Sequence, residues 1–422
     1  MADQRFHTEN TASGRAGTVL AVGGGPAGMA AALAAAEAGA AVTLLERRPR
    51  PGKKLLATGN GRCNLANRGR PVYFGDARFA RRALAALPPE MLLRRLEAWG
   101  LPLYTDPEQR VYPATQQAAS VLSVLCARLA EARVQLVTDA DVLDVKRTGG
   151  AFAVLTRDGR RWSADRVILA TGGLAGGALG SRPEDYALAS NLGHPVTDRF
   201  PGLTPLTVAP GPFRKLSGLR MPARIGLYAG GLPQAASAGE ILLTDDGVSG
   251  ICAMQLARDA HRLIGEGLAP ELRLDLSPVF FPEERAYCRL PSGMPDTYAR
   301  TLALLRERQA AFGPAGVLPG LVPEKLIPLC PAGSPERLAA FLTDTRLRVT
   351  GTRPMAQAQV TCGGVDTRTV DPETMASRLC PGLYLAGELL DVDGDCGGFN
   401  IQFALITGLL AGRAAAEQGH RP

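Results

Sequence analysis

Three glycine-bearing segments, far apart in the chain, carry the residue types that grip a dinucleotide. The first is Gly23-x-Gly25-x-x-Gly28, with Pro26 and Ala27 inside it and Glu46 eighteen residues after its last glycine. A short apolar stretch precedes it and an alanine-rich stretch follows, so the glycines fall on a strand-to-helix turn, the context that gives this spacing meaning. Gly23 permits the tight turn, Gly25 lets backbone approach a pyrophosphate, and Gly28 lets the helix lie close to the strand. The helix start at Pro26 and Ala27 then offers free N–H groups and partial positive charge to the phosphates. Glu46 would accept from ribose hydroxyls and repel a 2′-phosphate, so the expected ligand is FAD or NAD rather than NADP.

The other two segments choose between those ligands. An enzyme using NAD alone needs one such unit and a catalytic domain. An FAD protein of the two-segment kind needs a later strand-and-glycine turn and a terminal junction aimed at the flavin. Ala170–Thr171–Gly172–Gly173 supplies the turn, and Gly387–Glu388 with Gly397–Gly398–Phe399–Asn400–Ile401 supplies the junction. A helix starting near Asn400 would direct its N–H groups at the flavin N1–C2=O edge, where negative charge collects on reduction.

Elements that could position these residues are legible in the same pattern. Thr18–Val22 and Ala41–Leu45 read as buried strands flanking a helix over Ala27–Ala38. Arg78–Trp99 and Ser120–Glu131 read as helices, Val134–Val137 as a strand, and Phe152–Thr156 with Arg161–Ser163 as a hairpin around Asp158–Gly159. Arg166–Ala170 is a buried strand running into the second glycine segment. From Pro195 to about Gly250 the chain is short strands with Gly and Pro punctuation, and from Ile251 to Thr343 it is mostly helical. Leu383–Ala386 and a closing helix over Asn400–Ala416 restore the first pattern. The expected fold is α/β: a two-segment Rossmann-like FAD-binding domain with an inserted β-rich module and a small helical module. Its expected boundaries are a loose tail over 1–17, first FAD-binding segment 18–195, β-rich module 196–250, helical module 251–345, and second FAD-binding segment 346–422.

Composition fits a globular chain. Of 422 residues, 46% are hydrophobic and 21% charged, which excludes a disordered or fibrous chain. The formal charge is +7, without a long basic run, so no nucleic-acid partner is expected. The cluster Arg47–Arg48, Arg50 and Lys53–Lys54 is a solvated loop or an anion contact. The eight cysteines include no pair closer than sixteen positions, so neither a CxxC redox pair nor a zinc knuckle can be written, and a reducing cytoplasm is expected. The apolar run Thr18–Leu45 is interrupted by Gly23–Gly24–Gly25–Pro26 and is not read as a membrane span.

One loop resembles a known family. Lys53–Lys54–Leu55–Leu56–Ala57–Thr58–Gly59–Asn60–Gly61–Arg62–Cys63–Asn64 is similar to the signature loop of bacterial FAD-dependent oxidoreductases labelled aminoacetone-oxidase-like or 3-dehydro-bile-acid reductase-like. Gly239–Thr244 with Gly247–Gly250 resembles the same family. So does the tail from Gly363–Gly364–Val365 through Pro381–Glu388, Asp391–Gly394 and Gly397–Asn400. The likeness covers nearly all the chain after residue 17. It departs at Asn60, where another glycine is expected, at Asp395–Cys396, where an aromatic and a threonine are usual, and at Cys362. The last two departures bear on substrate choice.

The resemblance implies non-covalent FAD, with Arg47, Lys54, Gly61, Arg62, Cys63 and Asn64 near the cofactor and Val142 offering backbone to adenine. It implies a hydride passed between NADH or NADPH and a small organic substrate, either in reduction of a C=C bond conjugated to a ketone or, alternatively, in amine oxidation. No second dinucleotide fold is visible for the external reductant, which would then use the flavin's open face. An RNA-modifying flavoprotein and a non-catalytic FAD redox sensor are the other readings. Cys63 is read as packing under the flavin rather than as a reactive thiol, and Cys362 and Cys396 as candidates to face each other across it. His7 and His420 lie in tails, while His194 and His261 are read as structural and surface residues. Tyr104, Arg110 and Tyr112 lie in a proline-flanked loop that could line a substrate pocket. No catalytic residue is assigned, and the oligomeric state is left open.

Overall fold

The computed structural model describes residues 17–179 and 182–417, so the tails carrying His7 and His420 lie outside the described residues. Chain contacts divide the protein into two units, one made of the segments ending at Phe200 and beginning at Val360, the other of Pro201–Gln359.

The first unit is built on a five-stranded, all-parallel sheet. Its order is Leu383–Leu385, Arg166–Leu169, Thr18–Val22, Ala41–Leu45, Gln135–Val137. Register aligns Leu385, Leu169, Val22, Leu45 and Val137 across it, so every strand ends on one line. Gly23, Glu46, Ala170 and Ala386 therefore leave the sheet together at its carboxyl edge, where open α/β sheets bind ligands. The inner strands are buried on both faces, which is why they read as short, mostly apolar runs rather than alternating ones. A three-stranded antiparallel sheet, Val142–Thr148, Ala151–Thr156 and Arg161–Ala164, accompanies it.

The helix Pro26–Glu37 and the closing helix Gly397–Glu417 pack against each other with almost no side chain between them. A Cβ at Gly408 would sit 2.2 Å from the Ala27 carbonyl oxygen, and one at Gly412 would sit 2.1 Å from that of Ala31. Both pairs are spaced four residues, so a glycine ridge on one helix meets an alanine ridge on the other. The closing helix is long and apolar enough to cross a membrane, but 89% of its apolar window is buried inside the protein. The apolar run over Thr18–Leu45 is strand, helix and strand.

The second unit is a closed antiparallel barrel of Leu206–Val208, Gly247–Ser249, Leu232–Leu243, Arg220–Ala229, Glu271–Asp275 and Thr345–Thr352. Its helices, among them Ala257–Gly265 and Pro335–Thr343, share the barrel's hydrophobic core.

The expected boundaries are corrected by this pairing. The stretch 196–250 and the stretch 251–345 form one unit, because Glu271–Asp275 lies between Arg220–Ala229 and Thr345–Thr352 in a single barrel. The strand Thr345–Thr352 closes that barrel by pairing with Leu206–Val208, so the second segment of the first unit starts at Val360 rather than 346. Closure leaves no unpaired edge, a tertiary requirement that local patterning does not display. The helix expected over Arg78–Trp99 is two, Ala77–Ala86 and Pro89–Ala98, divided at Pro88–Pro89.

His194 joins the two chain segments of the first unit. It is buried, with Nδ1 2.7 Å from Thr369 Oγ1 and Nε2 2.8 Å from Ser377 Oγ. Burial pushes its pKa below the ordinary 6.5. As pH falls through 6.5, the unfolded chain takes up a proton that the folded one resists, so stability present above that value declines toward the folded pKa.

Two measurements check this architecture. Gly412→Ala should cost about 2 kcal/mol or more through overpacking, seen as a lower thermal midpoint. Between about pH 7 and pH 5 the midpoint should drop further in the native protein than in His194→Gln, and equal slopes would remove His194 from the linkage.

Candidate functional site

The three glycines of the spacing Gly23-x-Gly25-x-x-Gly28 differ in what surrounds them. Gly23 has φ +106°, its N–H donates to the Leu45 carbonyl at 2.8 Å, and a Cβ there would meet the Ala170 oxygen at 2.4 Å. A Cβ on Gly28 would sit 1.8 Å from the Gly23 oxygen. Gly25 differs: nothing lies within 4 Å of where its Cβ would be. Fold packing thus demands Gly23 and Gly28, while the space beside Gly25 is left for something else. The helix beginning at Pro26 has no side-chain cap and no acidic residue in its first turn, so its leading N–H groups face that space with their partial positive charge.

Glu46 stands at the end of the next strand. Its Oε2 accepts from the Gly24 N–H at 2.8 Å and its Oε1 from the Arg48 N–H at 2.7 Å. Burial pushes its carboxyl pKa up, and those two N–H groups with Arg47 and Arg48 pull it back. The carboxylate therefore shapes the turn as well as keeping lone pairs for ribose hydroxyls. Val142 follows a segment tied to the same strand end, since the Ala140 N–H donates to the Glu46 carbonyl at 2.9 Å. Arg47 pairs with Asp185 at 3.3 Å.

The second glycine segment lies beside the first, with the Ala170 N–H donating to Val22 oxygen at 2.9 Å. Gly172 has φ +80° and open space at its Cβ position. The Thr171 hydroxyl is buried without a hydrogen-bond partner, a donor and acceptor awaiting a ligand. Gly173 is pressed against Thr361 Oγ1 and Glu388 Oε1, at 2.5 and 2.7 Å from its would-be Cβ. Lys54 and Glu388, both expected at the cofactor, hold each other: Nζ to Oε2 is 2.6 Å, and Oε1 accepts from the Thr361 N–H at 2.9 Å. Gly387, φ +77°, donates its N–H to Thr407 Oγ1 at 3.0 Å, and its would-be Cβ lies 2.8 Å from that of Ala27. This contact links the third segment to the first turn.

The loop before Asn64 turns left-handed repeatedly, with positive φ at Gly59, Asn60, Gly61 and Cys63. Asparagine is among the few side chains that tolerate φ near +54°, which explains Asn60 at a position where glycine is expected. Cys63 is fully buried, and burial pushes its thiol up to about 12, so it stays protonated and packs. Asn64 reaches the closing helix: its amide nitrogen donates to the Ala66 carbonyl at 2.9 Å and its oxygen accepts from the Gly398 N–H at 3.3 Å. The Arg62 guanidinium sits 5.1 Å from the centre of the Tyr112 ring.

The closing helix begins at Gly397, three residues before the expected Asn400. Asn400 clamps the turn ahead of it, with its amide nitrogen donating to the Gly394 and Cys396 carbonyls at 2.9 and 2.8 Å. Phe399 is buried against Tyr73, whose hydroxyl donates to the Phe399 carbonyl at 3.1 Å, and Ile401 is buried with it. Gly397 has open space, and the first turn carries no acidic side chain. Cys362 and Cys396 have separate partners: the Cys362 thiol donates to Asp393 Oδ2 at 3.3 Å, and Cys396 Sγ accepts from Asn67 Nδ2 at 3.8 Å. Tyr73, Asn67, Thr361, Asp393 and Gln402 join the site without a signal in sequence, brought in by pairings such as Tyr73–Gly75 with Val392–Gly394. Tyr112 and Arg110 had a signal in their proline-flanked loop, and a strand over Arg110–Pro113 now carries them.

The uncapped helix start at Pro26, the open space at Gly25 and Gly172, and the unsatisfied buried Thr171 hydroxyl fit an adenine dinucleotide. Comparison with known proteins shows the family. A family model described as HI0933-like protein Rossmann domain matches residues 17–414. The chain is 38% identical to a 3-dehydro-bile acid delta(4,6)-reductase of Clostridium scindens, covering 94% of this chain and 98% of that one. It is 27% identical to a ribosomal RNA dihydrouridine synthase of Escherichia coli over 91% and 94%, and 26% identical to that of Haemophilus influenzae over 91% and 95%.

The contrast between glycines is testable. Gly25→Ala should fold with an unchanged thermal midpoint yet lose at least about tenfold in flavin affinity, because its methyl enters only the ligand's space. Gly28→Ala should lose folded protein, because its methyl enters backbone. Equal flavin affinity in Gly25→Ala and the native protein would remove the phosphates from this turn.

Proposed function

The chain belongs to the HI0933-like Rossmann family and is an FAD-dependent oxidoreductase, and we propose that it reduces a carbon–carbon double bond conjugated to a carbonyl in a small organic substrate, with NADH or NADPH as reductant. The observation that carries this is the 38% identity, over 98% of its length, to a protein named as a 3-dehydro-bile acid delta(4,6)-reductase. That name describes removal of double bonds beside a ketone. The ribosomal RNA dihydrouridine synthases are named for a product in which uridine's ring C=C, also conjugated to a carbonyl, has been saturated. Relatives acting on very different molecules thus share one bond change.

FAD supplies the hydride chemistry when bound. The chain's own part is to hold and polarise. The turn at Gly23–Gly28 receives the pyrophosphate, Glu46 the adenosine ribose, and the Ala140–Val142 segment the adenine. The helix start at Gly397, where space is open, would turn its partial positive charge toward the N1–C2=O edge, favouring the reduced, more negative form. The scattered cysteines, no two closer than sixteen positions in sequence, support a reducing cytoplasm as its place of work.

A second reading, reduction of uridine within RNA, is favoured by the two relatives named for it. The two differ in the size and charge of the substrate rather than in the bond changed. One experiment separates them. The purified yellow protein is reduced anaerobically with NADH or NADPH, then mixed with steroid enones, with ribosomal RNA, or with oxygen. Rapid reoxidation by a steroid-type enone is expected. Reoxidation by RNA alone would establish the second reading, and reoxidation by oxygen alone would mark an oxidase.

A further inference from the structure

We propose that Tyr112 is the proton donor of this site, protonating the α-carbon of the conjugated substrate; the assignment rests on the reductase reading above. Saturating a C=C bond adds two electrons and two protons, delivered as a hydride and a proton. A hydride, supplied by the reduced flavin, goes to the β-carbon, and the π electrons move to the α-carbon and carbonyl. A proton must then reach the α-carbon. His194 is enclosed by Thr369 and Ser377, and Cys63 is sealed with its thiol protonated. Neither can deliver it.

Tyr112 is placed for the task by backbone. Its strand, Arg110–Pro113, runs antiparallel to Ala66–Asn67, and the Leu65 N–H donates to the Val111 carbonyl at 2.7 Å. That fixes it beside the left-handed loop: a Cβ on Gly59 would lie 3.8 Å from the Tyr112 ring, and Arg62 stacks over the ring. The residue is 4% exposed. Two other buried tyrosines of this unit spend their hydroxyls on carbonyls, Tyr73 on Phe399 at 3.1 Å and Tyr384 on Ala414 at 3.2 Å. The Tyr112 hydroxyl has no such partner among the described residues. Unlike the Tyr186 hydroxyl, it is also not sealed from outside. A rigid ring thus holds an uncommitted O–H at an opening beside the cofactor loop.

Its surroundings suit a donor. Burial keeps the phenol protonated, while the Arg110 and Arg62 guanidiniums stabilise the phenolate left after donation; Asp106 and Cys396 act the other way. Arg110 is itself steadied by Asp106 and Glu108, each at 2.7 Å. The phenolate regains its proton from solvent through the same opening, which balances the cycle.

The test uses Tyr112→Phe holoenzyme, which keeps the ring and loses the acid. Flavin content, the visible spectrum and the absorbance shift on binding a steroid enone to the oxidised form should match the native protein. Reoxidation of the reduced form by that enone should slow by at least about 100-fold, and the solvent deuterium isotope effect of the native protein should change. Native-like reoxidation in Tyr112→Phe overturns the assignment. So does loss of flavin or of enone binding, which would mark a structural role. If the native protein itself reduces no enone, the reductase reading fails first, and this assignment falls with it.

Discussion

Everything at the carboxyl edge of the sheet depends on the closeness with which two helices meet. Gly408 and Gly412 of the closing helix lie against the carbonyls of Ala27 and Ala31, with room for a hydrogen and nothing more. Because of that contact, Gly387 reaches the side chain of Ala27, and the start of the closing helix is brought to the loop carrying Arg62–Asn64. A bulkier ridge would push apart two N-termini whose partial charges act only over the first turn. Dispersion at such short range is strong in sum and unforgiving of error.

The first unit was largely legible because its signals are local. A glycine spacing, an acidic residue at a strand end and uninterrupted apolar strands each follow from steric or solvation needs within a few residues. Asn60 is instructive: it breaks the expected glycine pattern, yet it preserves the property that matters, tolerance of positive φ. The barrel was only half legible. Glu271–Asp275 is five residues among helices, and Thr345–Thr352 follows a helix directly; both are fixed by closure of a sheet whose other strands lie far away in sequence. Lys54 and Glu388 show the same limit at the site. Their charges were readable, but their mutual engagement spans 334 positions and could be seen only once folded.

The site divides its polar groups between shaping and offering. Glu46, Glu388, Asn64 and Asn400 hold loops in place by accepting or donating to backbone, and they make the pocket rigid. Gly25, Thr171, Gly172, Gly397 and the Tyr112 hydroxyl are left open or unpaired, and they are the positions where a ligand can substitute for missing partners. Such pre-organisation is what electrostatic stabilisation requires, since dipoles already fixed need not reorient during reaction.

The position of Leu383–Leu385 at one edge of the parallel sheet has a consequence for biosynthesis. As a nascent chain leaves the ribosome, the strand from Arg166 to Leu169 waits for a neighbour that emerges more than two hundred residues later. The intervening barrel closes on strands of its own and is free to fold in the meantime. A cofactor gripped by both segments would be captured only after the helix over Gly397–Glu417 has emerged, and the edge at Arg166–Leu169 stays uncovered until Leu383–Leu385 pairs with it.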